Sequence, residues 1–187
     1  MDKQTEEILQ KIEEAEYVLV GLGQEFDMEF FLQSREDYRR IREQLQQQNV
    51  LWLLPYVEAQ FRKQYMPEME AEIEKGLQKL AKVLEKKSYF VVSSSMNHKL
   101  AEVPWKKMLL KKERFVAPCG DWTKKQCPDG CEEGIQTVTE ADEEQLQESF
   151  KKLQTNGFSV PDLGKCPKCG KKLVLNNVYA GRYDEKG

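Results

Sequence analysis

Two short cysteine pairs, Cys127-Pro128-Asp129-Gly130-Cys131 and Cys166-Pro167-Lys168-Cys169-Gly170, constrain this chain more than any other feature. A tight Pro/Gly turn can present two thiolates to two corners of a tetrahedron, and a second such turn supplies the other two. That is the design of a structural zinc ribbon. With Cys127, Cys131, Cys166 and Cys169 as the four ligands, no coordination position remains for water, so the expected zinc holds the fold and activates no nucleophile. Residues 132 to 165 separate the pairs, room enough for a helical insertion over 142–154 with Leu146, Phe150 and Leu153 as its apolar stripe. The competing reading is four free thiols in loops.

Composition sets the setting for that site. A chain of 187 residues suits one medium domain, or one domain with a small appendage, and can bury a core without disulfide staples. Its 29 basic and 32 acidic residues leave a net charge of −3, which gives no positive field to draw it to nucleic acid or anionic lipid. Hydrophobic residues make up 40% and charged residues 33%, the profile of a globular chain with heavily charged helix surfaces. No apolar run approaches the roughly 20 residues of a membrane span. The start, Met1-Asp2-Lys3-Gln4-Thr5, lacks the basic and apolar regions of a secretory signal, so a cytoplasmic location is expected. In a reducing compartment close cysteine pairs point to metal and away from disulfides.

Along the chain, Asp2 stands in capping position before Thr5, Ile8, Leu9, Ile12 and Ala15, whose spacing predicts a surface helix with one buried stripe. Tyr17-Val18-Leu19-Val20, ended by Gly21, reads as a parallel strand covered on both faces. A helix with a narrow stripe (Tyr38, Ile41, Leu45) is predicted from Arg35 to about Asn49, and a more buried one from Leu51 to Tyr65 with Pro55 in its first turn. Met69, Ile73, Leu77, Leu80 and Leu84 mark the next helix. Tyr89-Phe90-Val91-Val92 repeats the strand pattern, a short helix or turn is expected over Val103 to Leu110, and Arg114 to Ala117 gives a third strand before Pro118 and Gly120. Strands separated by helical segments favour parallel, right-handed crossovers.

Three further groups can carry chemistry. Gly21-Leu22-Gly23-Gln24-Glu25 follows the first strand, where two glycines let a ligand's phosphates approach the backbone; a plain tight turn is the alternative. Ser93-Ser94-Ser95-Met96-Asn97 follows the second strand, offering hydroxyls and an amide suited to a ribose or carboxamide, or simply capping a turn. Cys119, between Pro118 and Gly120, would need an activating base to act as a nucleophile, and none is visible nearby, so the inert reading leads. His98, the one histidine, reads as a surface residue.

The order of these pieces resembles the sirtuins, the NAD-dependent protein lysine deacylases, over most of the chain. The family's Gly-Ala-Gly-x-Ser turn falls on Gly21, Leu22, Gly23, Gln24 and Glu25, so Leu22 replaces alanine and Glu25 replaces serine. Its Thr-Gln-Asn-x-Asp, which contacts the nicotinamide and ribose side of NAD, falls on Ser93 to Asn97. Its His-Gly pair stands eight positions before the first zinc cysteine, where this chain has Cys119 and Gly120. Arg35 lies one place from the family's acid-loop arginine, and Lys171 to Gly181 resembles its return segment, with Val178-Tyr179-Ala180-Gly181 in place of its Val-Val-Trp-Phe-Gly stretch. The resemblance implies Gly21, Gly23, Gln24, Glu25, Ser95 and Asn97 as cofactor-binding residues and Cys119 at the catalytic position. Divergent bacterial sirtuins that act as ADP-ribosyltransferases also lack the histidine. The family fold continues through further strands with a Gly-Thr-Ser turn, whereas this sequence ends at Gly187, so a shortened, degenerate member is expected.

The fold expected is α/β, a partial Rossmann-like parallel sheet over residues 1–120 that includes a helical excursion at 28–87, followed by a zinc-ribbon module over 121–187. The function expected is a sirtuin-like protein with structural zinc, binding NAD or ADP-ribose and acting weakly or not at all on an acylated or ADP-ribosylated protein. A thiol with pKa near 8.5 is a poor proton shuttle for a sugar hydroxyl, which is why Cys119 predicts impaired deacylation. The rival is a non-enzymatic zinc-ribbon interaction module, for which Trp105 and Trp122 would be exposed anchors if they are not core.

Overall fold

The structure, a computed structural model, describes residues 3–23, 29–96, 114–155 and 157–180. Asp2, Gln24, Glu25, Asn97, His98, Trp105, Gly181 and the segment 103–110 lie outside the described residues, so the expectations attached to them stand as made.

Helix α1 (Lys3–Glu14) leads into strand β1 (Tyr17–Leu22). Four helices follow: α2 (Glu29–Gln33), α3 (Glu36–Gln47), α4 (Leu54–Tyr65) and α5 (Pro67–Leu84). Pro55 and Pro67 each sit in a helix's first turn, where a missing N–H costs nothing. Strands β2 (Ser88–Ser93) and β3 (Phe115–Val116) then complete a three-stranded sheet in the order β1-β2-β3. All its pairings are parallel, with Leu19 opposite Phe90 and Val92 opposite Val116. The mixed α/β character and the parallel sheet agree with the sequence reading.

Coverage of that sheet does not. Successive side chains on a strand point to opposite faces, and here one face, with Val20, Leu22, Tyr89 and Val91, packs on Leu77, Ala81 and Leu84 of α5. The other face is open: Tyr17 is 73% exposed and Leu19 75%, and Phe90 and Val116 are exposed as well. The expectation of strands covered on both faces is therefore corrected, because among the described residues the one long helix with a matching stripe, α5, serves only one side. The buried stripe expected of α1 is corrected too. None of its residues is buried, and Ile8 is exposed. Strand β1 also runs through Gly21, which pairs with Val92, so the chain leaves the sheet one residue before Gly23 and not at Gly21.

Beyond β3 the chain forms an antiparallel sheet of order β5-β4-β6, from β4 (Gly120–Gln126), β5 (Gln136–Thr137) and β6 (Val174–Asn177). Helix α6 (Glu140–Gln154) is the expected insertion, begun two residues early by a capping box between Thr139 and Asp142. Leu146, Phe150 and Leu153 are buried as its stripe predicts. They share one core with Tyr38, Ile41 and Leu45 of α3, with Trp52 and Phe61, and with Trp122, Cys127, Cys166 and Leu175. The helical excursion and the cysteine-bearing segment thus bury their apolar faces on each other. Trp122, fully buried, meets the Tyr56 ring edge-on at 5.3 Å. Among the described residues no helix is long and apolar enough to cross a membrane.

Candidate metal centre

Each knuckle is shaped by its glycines. In the first, Cys127 follows the end of β4, and the Gly130 amide donates to the Cys127 carbonyl at 3.0 Å with Gly130 at φ +72°. Gly134 closes the loop by donating to the Cys131 carbonyl, and a side chain there has no room, since a Cβ would lie 2.5 Å from the Cys127 Cβ. In the second, Cys166 donates to the Lys171 carbonyl at 2.8 Å and Gly170, at φ +75°, donates back to the Cys166 carbonyl at 2.9 Å. A bridge between Lys165 and Lys172 holds the base of this turn. A left-handed φ at these positions is why glycine stands there.

The two turns bring the sulfurs of Cys127, Cys131, Cys166 and Cys169 within 4.8 Å of one another. The Cys127 and Cys169 sulfurs are 3.5 Å apart. A tetrahedral zinc with bonds of about 2.3 Å sets its sulfurs roughly 3.8 Å apart, so this donor set fits such an ion, and the four cysteines can hold a metal. Cys119 stands outside the group.

The electrostatics of the cluster fit a cation as well. Burial pushes the Cys127 thiol up, but the amides of Asp129 and Cys131 and the neighbouring sulfurs outweigh it and bring it down to about 7. Cys131 is pushed up to about 12 by burial and by the crowding of the other three sulfurs. Several thiolates packed this closely repel one another unless a positive charge sits among them. Two lysines of the second knuckle reach acids of the first: Lys171 lies 2.7 Å from Asp129 and Lys168 3.3 Å from Glu133. The site is also one-sided. Cys127 and Cys166 are buried in the core, Cys131 is half-buried and Cys169 is exposed.

A buried ion pair fixes the inserted helix to this sheet. Lys125 on β4 donates to both carboxylate oxygens of Asp142, at 3.0 and 2.8 Å, and to the Leu163 carbonyl at 2.8 Å, so all three of its protons are used. Asp142 in turn accepts from the Thr139 amide and hydroxyl, each at 2.8 Å. Sequence reasoning missed this pair, because a lysine and an aspartate in a chain so rich in charge look like surface residues. The one available signal was the Thr139-x-x-Asp142 capping spacing.

Of the residues expected to bind a nucleotide, the described ones, Gly21, Gly23 and Ser95, lie at the other sheet. Parallel register carries the carboxyl ends of β1, β2 and β3 to one edge. There Gly23 follows β1, and the Ser94 amide and hydroxyl both donate to the Leu22 carbonyl, at 2.9 and 3.3 Å. Ser93 and Ser95 are buried, and the Ser93 hydroxyl has no hydrogen-bond partner among the described residues. Gly21 has an ordinary φ, and a Cβ added to it would meet nothing within 4 Å. Cys119 lies in the turn between β3 and β4, half-buried, with its carbonyl accepting from the Val178 amide.

Comparison of the chain with protein-family models finds no match, and comparison with curated proteins finds none either.

Proposed function

We propose that the four cysteines hold one structural zinc, and that the carboxyl edge of the parallel sheet is a sirtuin-like site for NAD or ADP-ribose with little or no deacylation. The zinc reading is supported by a closed set of four sulfur donors joined to the main core through Cys127 and Cys166. Zinc supplies four strong bonds that fasten two turns, which suits a fold-holding role and offers no open position for catalysis. The nucleotide reading is carried by the Ser93 hydroxyl, fully buried and unpartnered among the described residues at the end of β2. An unsatisfied buried hydroxyl costs about 1–3 kcal/mol, which a ligand's polar group can recover. Gly21, which the fold itself does not require, supports the same reading, because it leaves space for a close backbone approach.

On this reading Cys119 takes the place of the family's general base, and no carboxylate or imidazole among the described residues bonds to it to supply that role. Binding without efficient turnover follows. The partner would be an acylated or ADP-ribosylated protein. The rival reading as a pure interaction module loses its anchor at Trp122, which is fully buried. Thermal melts of the zinc-loaded protein with and without millimolar ADP-ribose or NAD test the proposal. An upward shift supports a binding edge. An unchanged melt at saturating nucleotide contradicts it.

A further inference from the structure

We propose that the open face of the parallel sheet is closed by helix α1 of a second copy of this chain, in a reciprocal two-fold dimer. Parallel sheets bury both faces, because the crossovers and neighbouring elements that build them also cover them. Here α5 covers one face, while Tyr17, Leu19, Phe90 and Val116 stand exposed on the other. A groove of about 280 Å³ runs over the start of this face, lined by Tyr17, Leu19, Phe90 and Arg114 among others.

The same chain carries an element that fits it. Helix α1 buries none of its residues, and Ile8 is 51% exposed beside the half-buried Leu9 and Ile12. An isolated helix of 12 residues is marginal in water and gains its stability from packing an apolar stripe. Its length of roughly 18 Å matches the roughly 20 Å of a six-residue strand. Charge agrees as well. Glu6, Glu7, Glu13 and Glu14 outnumber Lys3 and Lys11 on α1, whereas Arg114 beside the groove has, among the described residues, the Tyr89 ring and the Lys87 carbonyl as partners and no carboxylate.

Within one chain, Lys87 ties the end of α1 by donating to the Glu13 and Ala15 carbonyls, at 2.6 and 3.3 Å. A chain that carries both a half-exposed apolar stripe, with Ile8 free, and an exposed sheet face is self-complementary, and two copies related by a two-fold axis satisfy both at once.

Sedimentation velocity over the micromolar range tests the dimer, using wild type and two variants, Leu19→Lys on the sheet and Ile8→Lys on the helix. Both side chains are exposed in the single chain, so each variant should keep the wild-type circular dichroism spectrum and metal content. The expected result is a two-chain mass for wild type and a one-chain mass for each variant. A one-chain mass for wild type overturns the proposal. So does a dimer that Leu19→Lys dissociates and Ile8→Lys does not, since some other surface would then cover the sheet. The proposal is independent of the metal reading; a helix seated along the whole of β1 would cover the Gly21 side of the sheet, so the dimer and a nucleotide approaching Gly21 exclude each other there.

Discussion

Asn177, on the last strand, donates its side-chain amide to the carbonyl oxygen of Trp52, 2.9 Å away and 125 positions earlier in the chain. Its side-chain oxygen accepts from the Tyr179 amide at 3.0 Å, so one buried residue joins the helical segment to the cysteine-bearing sheet. Gly120 makes room for it, because at φ +101° a Cβ on residue 120 would run into the Asn177 backbone. Replacing Asn177 by leucine removes partners from two backbone groups. The expected cost is about 1–3 kcal/mol, which for a chain of this size lowers the melting temperature by roughly 3–10 °C. Thermal denaturation of Asn177→Leu checks it, and an unchanged melt would show that the bond contributes nothing.

The Lys125–Asp142 pair makes a second prediction. Replacing Lys125 by methionine strands a buried carboxylate and should cost about 3–5 kcal/mol, whereas replacing both partners with apolar residues should cost less. The pH dependence follows from Asp142. Burial pushes its carboxyl up, but the Lys125 ammonium and the Thr139 amide and hydroxyl outweigh that and hold it below its ordinary value. A carboxyl lowered in the folded state contributes stability that is complete above its unfolded pKa of about 3.9 and is lost as pH falls through the folded value. Denaturant titrations of wild type between neutral and acid pH should show this loss. The Lys125→Met/Asp142→Leu double variant should show a smaller one.

Two glycines separate packing from binding. Gly134→Ala places a methyl against Cys127 and should lower both the melting temperature and the zinc content. Gly21→Ala meets open space, so its melt without ligand should match wild type. If the nucleotide reading is right, the added methyl blocks the approach of a phosphate and the upward shift with ADP-ribose disappears. A Gly21→Ala protein that keeps the full shift would remove Gly21 from the site.

Much of this was legible in local pattern. The stripe of α5 at Leu77 and Leu84, that of α6 at Leu146, Phe150 and Leu153, and Pro55 in a first turn all read correctly, since each depends on residues a few places apart. The cysteine pairs read correctly because a knuckle is a contact within five residues, and the sequence needed only to bring two of them together. What failed was the environment of α1 and of the parallel strands. Tyr17-Val18-Leu19-Val20 is apolar on both faces, and nothing within the run tells which face finds a helix. Contacts such as Asn177 with Trp52, or Lys125 with Leu163, join residues far apart in the chain and leave no periodic trace.

The account depends most on four sulfurs sharing one ion. X-ray absorption at the zinc edge, on protein carrying one equivalent of zinc, tests this directly. Four sulfur ligands at about 2.3 Å, with no nitrogen or oxygen in the first shell, are predicted. Three or fewer sulfurs, or a shell completed by nitrogen or oxygen, would contradict a closed site built from Cys127, Cys131, Cys166 and Cys169.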